Sequence, residues 1–329
     1  MLSLLIAQEN HFSQFFNCPQ LLNPAFSGDA SYVRAGLNSR NIQTKIDTYV
    51  PNSLLHLDLK LTNHNDGIGL VIYNHLEEIG HTKFQFNYAH TVKLDKLWWL
   101  KSGIGLSVNQ RKLAGKDLKF PDQYNNSGYT GQQTQEPSLK ESTYFPGVAA
   151  GAILYNKNFW LSISGDYLNK PTENFAGTKT NYPIKFSAMS GFLIPLSKNK
   201  SSKRRFSNFG GLKPTSSLGP VFCYQQHGQQ IEFSSGINFL LQPFFGGVLY
   251  RFQHYHEIDR KAYAYKAVSL IAGFRREEFS VSYSFDYTIG KELSKQVTAH
   301  EFSLILYFFS PKHDYKRVLL VPLPNQLIY

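Results

Sequence analysis

The sequence predicts an all-β protein: a transmembrane, antiparallel, up-and-down β-barrel of about fourteen strands. Three observations predict it. First, Glu278 to Tyr287 (EFSVSYSFDY) and His300 to Phe309 (HEFSLILYFF) carry apolar or aromatic residues at every second position, which is the period of a strand with two chemically different faces. Second, such runs mostly reach about nine to thirteen residues, whereas soluble strands are most often five or six and a tilted membrane strand needs about nine to eleven. Third, the faces are unequal. Leu55, Leu57, Leu59 and Leu61 alternate with His56, Asp58 and Lys60, and Leu100, Ile104, Leu106 and Val108 lie opposite Lys101, Gly103, Gly105, Ser107 and Asn109. Apolar outside with polar inside is the pattern of a barrel in lipid.

Composition fits this class. Hydrophobic residues make up 42% of the chain and aromatics 15%, yet mean hydropathy is −0.30. No run approaches the roughly 18 apolar residues of a membrane helix, so a membrane crossing has to be made by strands. Nothing in the 329 residues marks a linker or a mid-chain change of composition, which predicts one domain.

At the N-terminus, residues 1–7 (MLSLLIA) read as the remainder of a secretory signal peptide. Residues 8–31 precede the first strand signal and form a plug or docking segment, because Phe12, Phe15, Phe16, Leu21, Leu22 and Phe26 need burial. Cys18 is not a lipid-attachment site, since Phe15, Phe16 and Asn17 before it are neither small nor aliphatic. The barrel follows over 32–309, with strands at about 32–41, 53–61, 67–76, 80–92, 97–110, 144–156, 158–167, 183–194, 217–226, 229–241, 244–252, 264–274, 278–287 and 298–309. An even number places both chain ends in the periplasm, with residues 310–329 as a periplasmic tail.

Connections after even-numbered strands are mostly tight, as at Asn65-Asp66-Gly67, Asn156-Lys157-Asn158 and Gln242-Pro243. Long ones cluster on the other side, at 111–143, 168–182, 253–263 and 288–297. Short periplasmic turns opposite long surface loops are the asymmetry expected of outer-membrane barrels. The basic connection at about 195–216 is the exception and implies either a miscounted strand or a periplasmic excursion. Trp98, Trp99, Phe159, Trp160, Phe308 and Phe309 fall at the periplasmic rim, where an aromatic girdle is expected.

Candidate chemistry is sparse. Two cysteines, Cys18 and Cys223, support neither a disulfide framework nor a zinc site and read as free thiols. The net charge of +11 includes a run, Lys198 to Arg205, that reads as a solvated turn and not as a nucleic-acid site. His254, His256, Glu257 and Asp259 form a weakly metal-like loop that reads as solvated, so no metal or other cofactor is assigned. No nucleophile elbow, phosphate loop or dinucleotide fingerprint occurs, which points away from an enzyme. His56, Asp58, Lys60, Gln85, Asn87, Lys101, Asn109, Asp166, Glu232 and Asp286 are expected to face the lumen as a hydrogen-bonded network.

Specific strings narrow the class. Gln8 to Gly28 (QENHFSQFFNCPQLLNPAFSG), Arg34 to Asn41 (RAGLNSRN), Lys119 to Tyr124 (KFPDQY), Tyr144 to Tyr155 (YFPGVAAGAILY), Phe159 to Pro171 (FWLSISGDYLNKP) and Ser282 to His300, where YSFDYTIG is followed by AHEFSL, resemble, in order, the PorP/SprF family of type IX secretion proteins. The resemblance implies a non-enzymatic outer-membrane barrel of Bacteroidetes-type bacteria, working in secretion and gliding. It also implies that the barrel binds a secreted, adhesin-like cargo through the cargo's C-terminal sorting domain and keeps it at the surface. Periplasmic lipoprotein components of the machine and outer-membrane lipid or lipopolysaccharide are the further partners implied. Phe120, Pro121, Asp122, Gln123 and Tyr124, in the longest surface loop, are the candidate cargo contacts. Phe12, Phe15, Phe16, Asn23 and Pro24 are the candidate plug or docking residues. A passive or selective outer-membrane pore is the alternative function.

Overall fold

The computed structural model describes residues 12–29, 33–43, 49–61, 65–76, 79–113, 124–125, 128–132, 142–174, 179–196, 216–256, 262–276, 278–289 and 298–308. The stretches 1–7 and 310–329, the core of the basic connection (197–215) and Phe120–Gln123 lie outside the described residues. Fourteen antiparallel strands close into one barrel: β1 (Val33–Gln43), β2 (Tyr49–Lys60), β3 (Asp66–His75), β4 (Ile79–Lys93), β5 (Trp99–Leu113), β6 (Ser142–Tyr155), β7 (Phe159–Asp166), β8 (Lys185–Phe192), β9 (Ser216–His227), β10 (Gln230–Leu241), β11 (Phe244–His256), β12 (Ala262–Arg275), β13 (Phe279–Thr288) and β14 (Thr298–Phe308). Each pairs with its successor, and Ile194–Pro195 prolongs the line of β8 along β9. Closure comes from β1 against β14, with Val33 opposite Phe308 and Gln43 opposite Thr298. A closed ladder leaves no strand edge unpaired along that seam.

Val33 and Phe308 therefore share one rim, called here the terminal rim; the opposite one is the loop rim. The alternation dictates which residues face out. In β5, Ile104, Leu106 and Val108 are 58%, 60% and 57% exposed, while Lys101, Ser107 and Asn109 point inward and are buried. In β2, Leu55 and Leu57 are exposed and His56 and Asp58 buried. The outer apolar belt continues through Phe84, Phe86, Ile163, Ile237, Val248 and Leu270. No described helix is long and apolar enough to cross a membrane, and the crossing belongs to the strands.

Several sequence expectations need correction. β11 runs through His256 because Gln253 and His256 pair with Tyr265 and Ala262. The expected 253–263 loop is thus reduced to residues 257–261, and His254 and His256 are strand residues. Trp99 and Trp160 do not belong to an outer girdle. Their parity turns them inward, where Trp160 is buried and Trp99 stacks on Tyr155 at 6.1 Å. Trp98, Phe159 and Phe192 form the outer contact, with centroids 6.3 and 4.8 Å apart. Phe309 lies outside the described residues. On the loop rim, 76–78 and the Gly228-Gln229 turn between β9 and β10 are short, in line with the strand bounds read from the sequence. The long connection after β8 keeps its rim, since every strand on either side pairs in sequence order and none was miscounted.

Candidate functional site: an occupied lumen

Residues Phe12–Asp29 enter the barrel and fill it. The segment makes three single-turn 3-10 helices, Phe15–Asn17, Pro19–Leu21 and Pro24–Phe26. Prolines at the first positions of the last two pre-set φ and sacrifice an amide that would be unpaired there anyway. The Asn23 side chain accepts from the Ala25 amide at 2.8 Å, capping the third turn. Compact turns satisfy backbone groups locally, which lets an irregular segment sit away from water.

Its apolar side packs on one wall. Phe15, Phe16, Leu22, Ala25 and Phe26 form a core with Ile153 and Tyr155 of β6, Trp160 of β7 and Met189 of β8. Phe26 is 0% exposed and meets the Trp160 ring edge-on, centroids 5.7 Å apart. A second cluster joins Phe12 and Cys18 to Leu54, Val71 and Tyr73 of β2 and β3. Burial pushes the Cys18 thiol up to about 12, against the opposing pull of Arg34. Cys18 and Cys223 are both free thiols.

Two glycines of the wall make the close approach possible. A Cβ on Gly103 would lie 2.4 Å from the Ala25 nitrogen, and one on Gly67 would lie 2.4 Å from the Cα of Gly28. Gly28 itself has φ +70°, a conformation other residues rarely adopt.

The polar side is anchored at both ends. At the first end, the Ser13 and Gln14 amides donate to Glu301 of β14 at 2.7 and 3.1 Å. The Ser13 hydroxyl donates to Asp286 of β13 at 2.6 Å and accepts from Arg40 of β1 and Arg251 of β11 at 2.7 and 2.9 Å. Arg40 also pairs with Asp286 at 2.6 Å and Glu301 at 3.2 Å, and Arg251 with Glu232 at 3.4 Å. Midway, the Asn23 amide donates to the Ser162 hydroxyl at 2.8 Å and the Ile163 carbonyl at 3.0 Å, and Ser164 donates to the Leu22 carbonyl at 2.6 Å. At the far end the Gly28 amide donates to Asp58, whose other oxygen holds Arg34 at 2.7 Å. Buried charges of both signs interleave, as charges removed from water require.

The arrangement holds the segment in place by apolar packing on one side and buried hydrogen bonds on the other. The cavity that the segment leaves on its loop-rim side has a volume of about 20 Å³, room for about one water. Among the described residues no group of three or more His, Cys, Asp or Glu is placed to hold a metal. Phe12, Phe15, Phe16, Asn23 and Pro24 all lie buried in the lumen, brought together by the turns. Of the FPDQY stretch only the Tyr124 backbone is described, pairing with Tyr129 in a two-residue hairpin. Of the expected lumen set, Lys60 is half-buried and the others are buried. Sequence reasoning passed over Ser13, Gln14, Arg40, Arg251 and Glu301. The inward parity that selected Asp286 also selects Arg40 and Glu301.

A barrel with an apolar outer belt, a polar wall and a filled lumen is by class an outer-membrane β-barrel. Over residues 5–306 the chain matches the family described as type IX secretion system membrane protein PorP/SprF, and it belongs to that family. Among solved structures it is similar to a FadL homologue of Pseudomonas aeruginosa, with 10% identity, 84% of this chain and 90% of that one covered, and a TM-score of 0.48. It is also similar to the toluene transporter TodX of P. putida, with 9% identity, 88% and 93% covered, and a TM-score of 0.45. BamA of Haemophilus ducreyi lacking POTRA domains 1–3 is similar at 9% identity, 83% and 70% coverage, and a TM-score of 0.40. No curated protein matches the chain.

Proposed function

We propose that this barrel is a non-enzymatic part of a type IX secretion and gliding machine of a Bacteroidetes-type bacterium. It binds a secreted, adhesin-like cargo through that cargo's C-terminal sorting domain, and supports its delivery to or retention at the cell surface. The observation that carries this reading is the filled lumen: a barrel occupied by Phe12–Asp29 meets a protein cargo at its surfaces and does not pass it through the lumen. Family membership supplies the secretion system. The connection between β5 and β6, with Phe120 to Tyr124, is the proposed cargo contact, and periplasmic lipoproteins are further proposed partners.

Excising residues 115–140 tests it. The flanking strands β5 and β6 pair with each other without that stretch, so a heat-modifiable barrel is expected in the outer membrane while surface cargo falls. Cargo retained at wild-type level would remove the loop from the binding role and shift attention to residues 8–28. The pore reading makes a different claim: steady, large single-channel steps from the purified wild-type protein in planar bilayers.

Orientation is part of the proposal, with the terminal rim in the periplasm. With Cys18 and Cys223 replaced by serine, Gly128→Cys should label on intact cells with an impermeant maleimide, and Asn65→Cys and Lys157→Cys should not. The reverse pattern would invert the barrel.

A further inference from the structure

At the loop rim, on the side of β4 to β9, a second part of the chain folds inward over the lumen. After β7 the chain turns inward at Tyr167, whose φ of +57° is unusual for a bulky residue and whose side chain is 0% exposed. The following residues fold onto the rim of β6: the Leu168 amide donates to the Val148 carbonyl at 2.9 Å, and the Asn169 side chain accepts from the Val148 amide at 3.1 Å. A short hairpin, Thr172–Asn174 against Lys179–Asn181, returns the chain to Tyr182, which also points inward and is buried.

The two tyrosines meet at 4.6 Å and complete an aromatic cluster with side chains of three strands. Phe145 of β6 lies 5.0 Å from Tyr182, the His227 ring of β9 stacks on Tyr167 at 5.9 Å, and His81 of β4 stacks on Phe145 at 6.5 Å. Lys83 pairs with Asp166 and sits 4.7 Å from the centre of the Tyr167 ring, while Arg111 pairs with Glu173 at 3.3 Å. The small cavity noted above separates this cap from the N-terminal segment. Phe12, Phe15 and Cys18 line it from one side, and Lys83 and Asp166 from the other.

We propose that Tyr167, Glu173 and Tyr182 form a second seal in series with the N-terminal plug. The barrel is then a double-gated conduit for ions and small hydrophilic solutes, closed when either gate alone is displaced. This inference rests on the plug, the inward-folded cap and the polar wall, not on the cargo reading. A fourteen-stranded wall lined by charged and amide side chains is wide enough to conduct once cleared, and the two gates share β6 and β9 but contact them at different heights.

Cys18 is a built-in reporter, because it lies in the plug and faces the space beneath the cap. In detergent-solubilised Cys223→Ser protein, a bulky maleimide should leave Cys18 unlabelled. Adding Tyr167→Gly, which tolerates the positive φ, and Tyr182→Ala should raise the labelling rate by about tenfold or more with the plug in place. Unchanged labelling in that variant would overturn the cap as a seal.

Planar-bilayer recordings then compare four proteins: wild type, the cap variant, a chain lacking residues 12–28, and the combination. Steady conductance only in the combination supports two gates in series. Conductance from either single variant equal to that of the combination, or a silent combination that retains heat-modifiable folding, overturns it. Should the truncated chain fail to fold, Gly103→Leu, which collides with Ala25 and drives the plug out, replaces it in the same comparison.

Discussion

The plug and the cap close the same lumen by different physics. Phe12–Asp29 reaches across the barrel and is gripped around much of its circumference, by charged groups on β1, β11, β13 and β14, by Asp58 of β2, and by apolar side chains of β6 to β8. The cap stays on one side: it folds onto β6 and reaches β4, β5 and β9, and is held by ring contacts and a few polar pairs. The plug shares the barrel's largest buried apolar cluster, whereas the cap forms a small separate one of Phe145, Tyr167 and Tyr182, so the two should differ in how far their loss is felt by the barrel.

The sharpest test of that contrast is a matched pair of truncations. Phe26→Ala removes a fully enclosed ring from the plug cluster and should cost about 3–5 kcal/mol of unfolding free energy. Tyr182→Ala in the cap removes a ring of similar size, yet should change global stability by less than about 1 kcal/mol, because the cap opens locally before the barrel unfolds. Urea titrations read by the heat-modifiable shift measure both. Equal losses would erase the distinction between core and cap.

Next in size is the charge cluster. Arg40→Met leaves Asp286 and Glu301 with one fewer cation and should cost about 3 kcal/mol, since breaking a buried pair strands the remaining charge. Arg40→Met combined with Glu301→Gln should recover part of that loss, although the Ser13 and Gln14 amides then lose a carboxylate acceptor. No recovery in the double variant would mean that Arg40 acts through shape and not through charge.

These two regions were unequally visible in the sequence. Strand number, order and facing were legible because two-residue alternation is written into every crossing; Leu55 to Lys60 states its own parity. The plug was visible as unmet burial, with Phe12 to Phe26 lying ahead of any strand that could cover them. Its anchors were not, because Arg40 and Glu301 are far apart in sequence and become neighbours only when β1 closes on β14. Trp99 and Trp160 were assigned by their place near strand ends, whereas their parity already turned them inward. The cap was hidden: Tyr167 read as the last residue of a strand and Tyr182 as a loop residue, and only the geometry of three separate strands, β4, β6 and β9, makes them a cluster.

The smallest expected effect lies in the cap and carries a sign. Burial holds the Glu173 carboxyl above its ordinary value, with Arg111 pulling in the opposite direction. A carboxyl raised in the closed state favours closure most when protonated. Its contribution is therefore full below about 4.5 and lost as pH rises through the raised value. Backbone hydrogen exchange over residues 167–174, corrected for the intrinsic pH dependence of exchange, should show the cap better protected at acidic than at neutral pH, by a few-fold. Glu173→Gln isolates this carboxyl from His81 and His227 in the same cluster and should flatten the difference. If the pH dependence survives that substitution, Glu173 is not its source, while protection that rises with pH and depends on Glu173 would mean that the Arg111 ion pair outweighs burial.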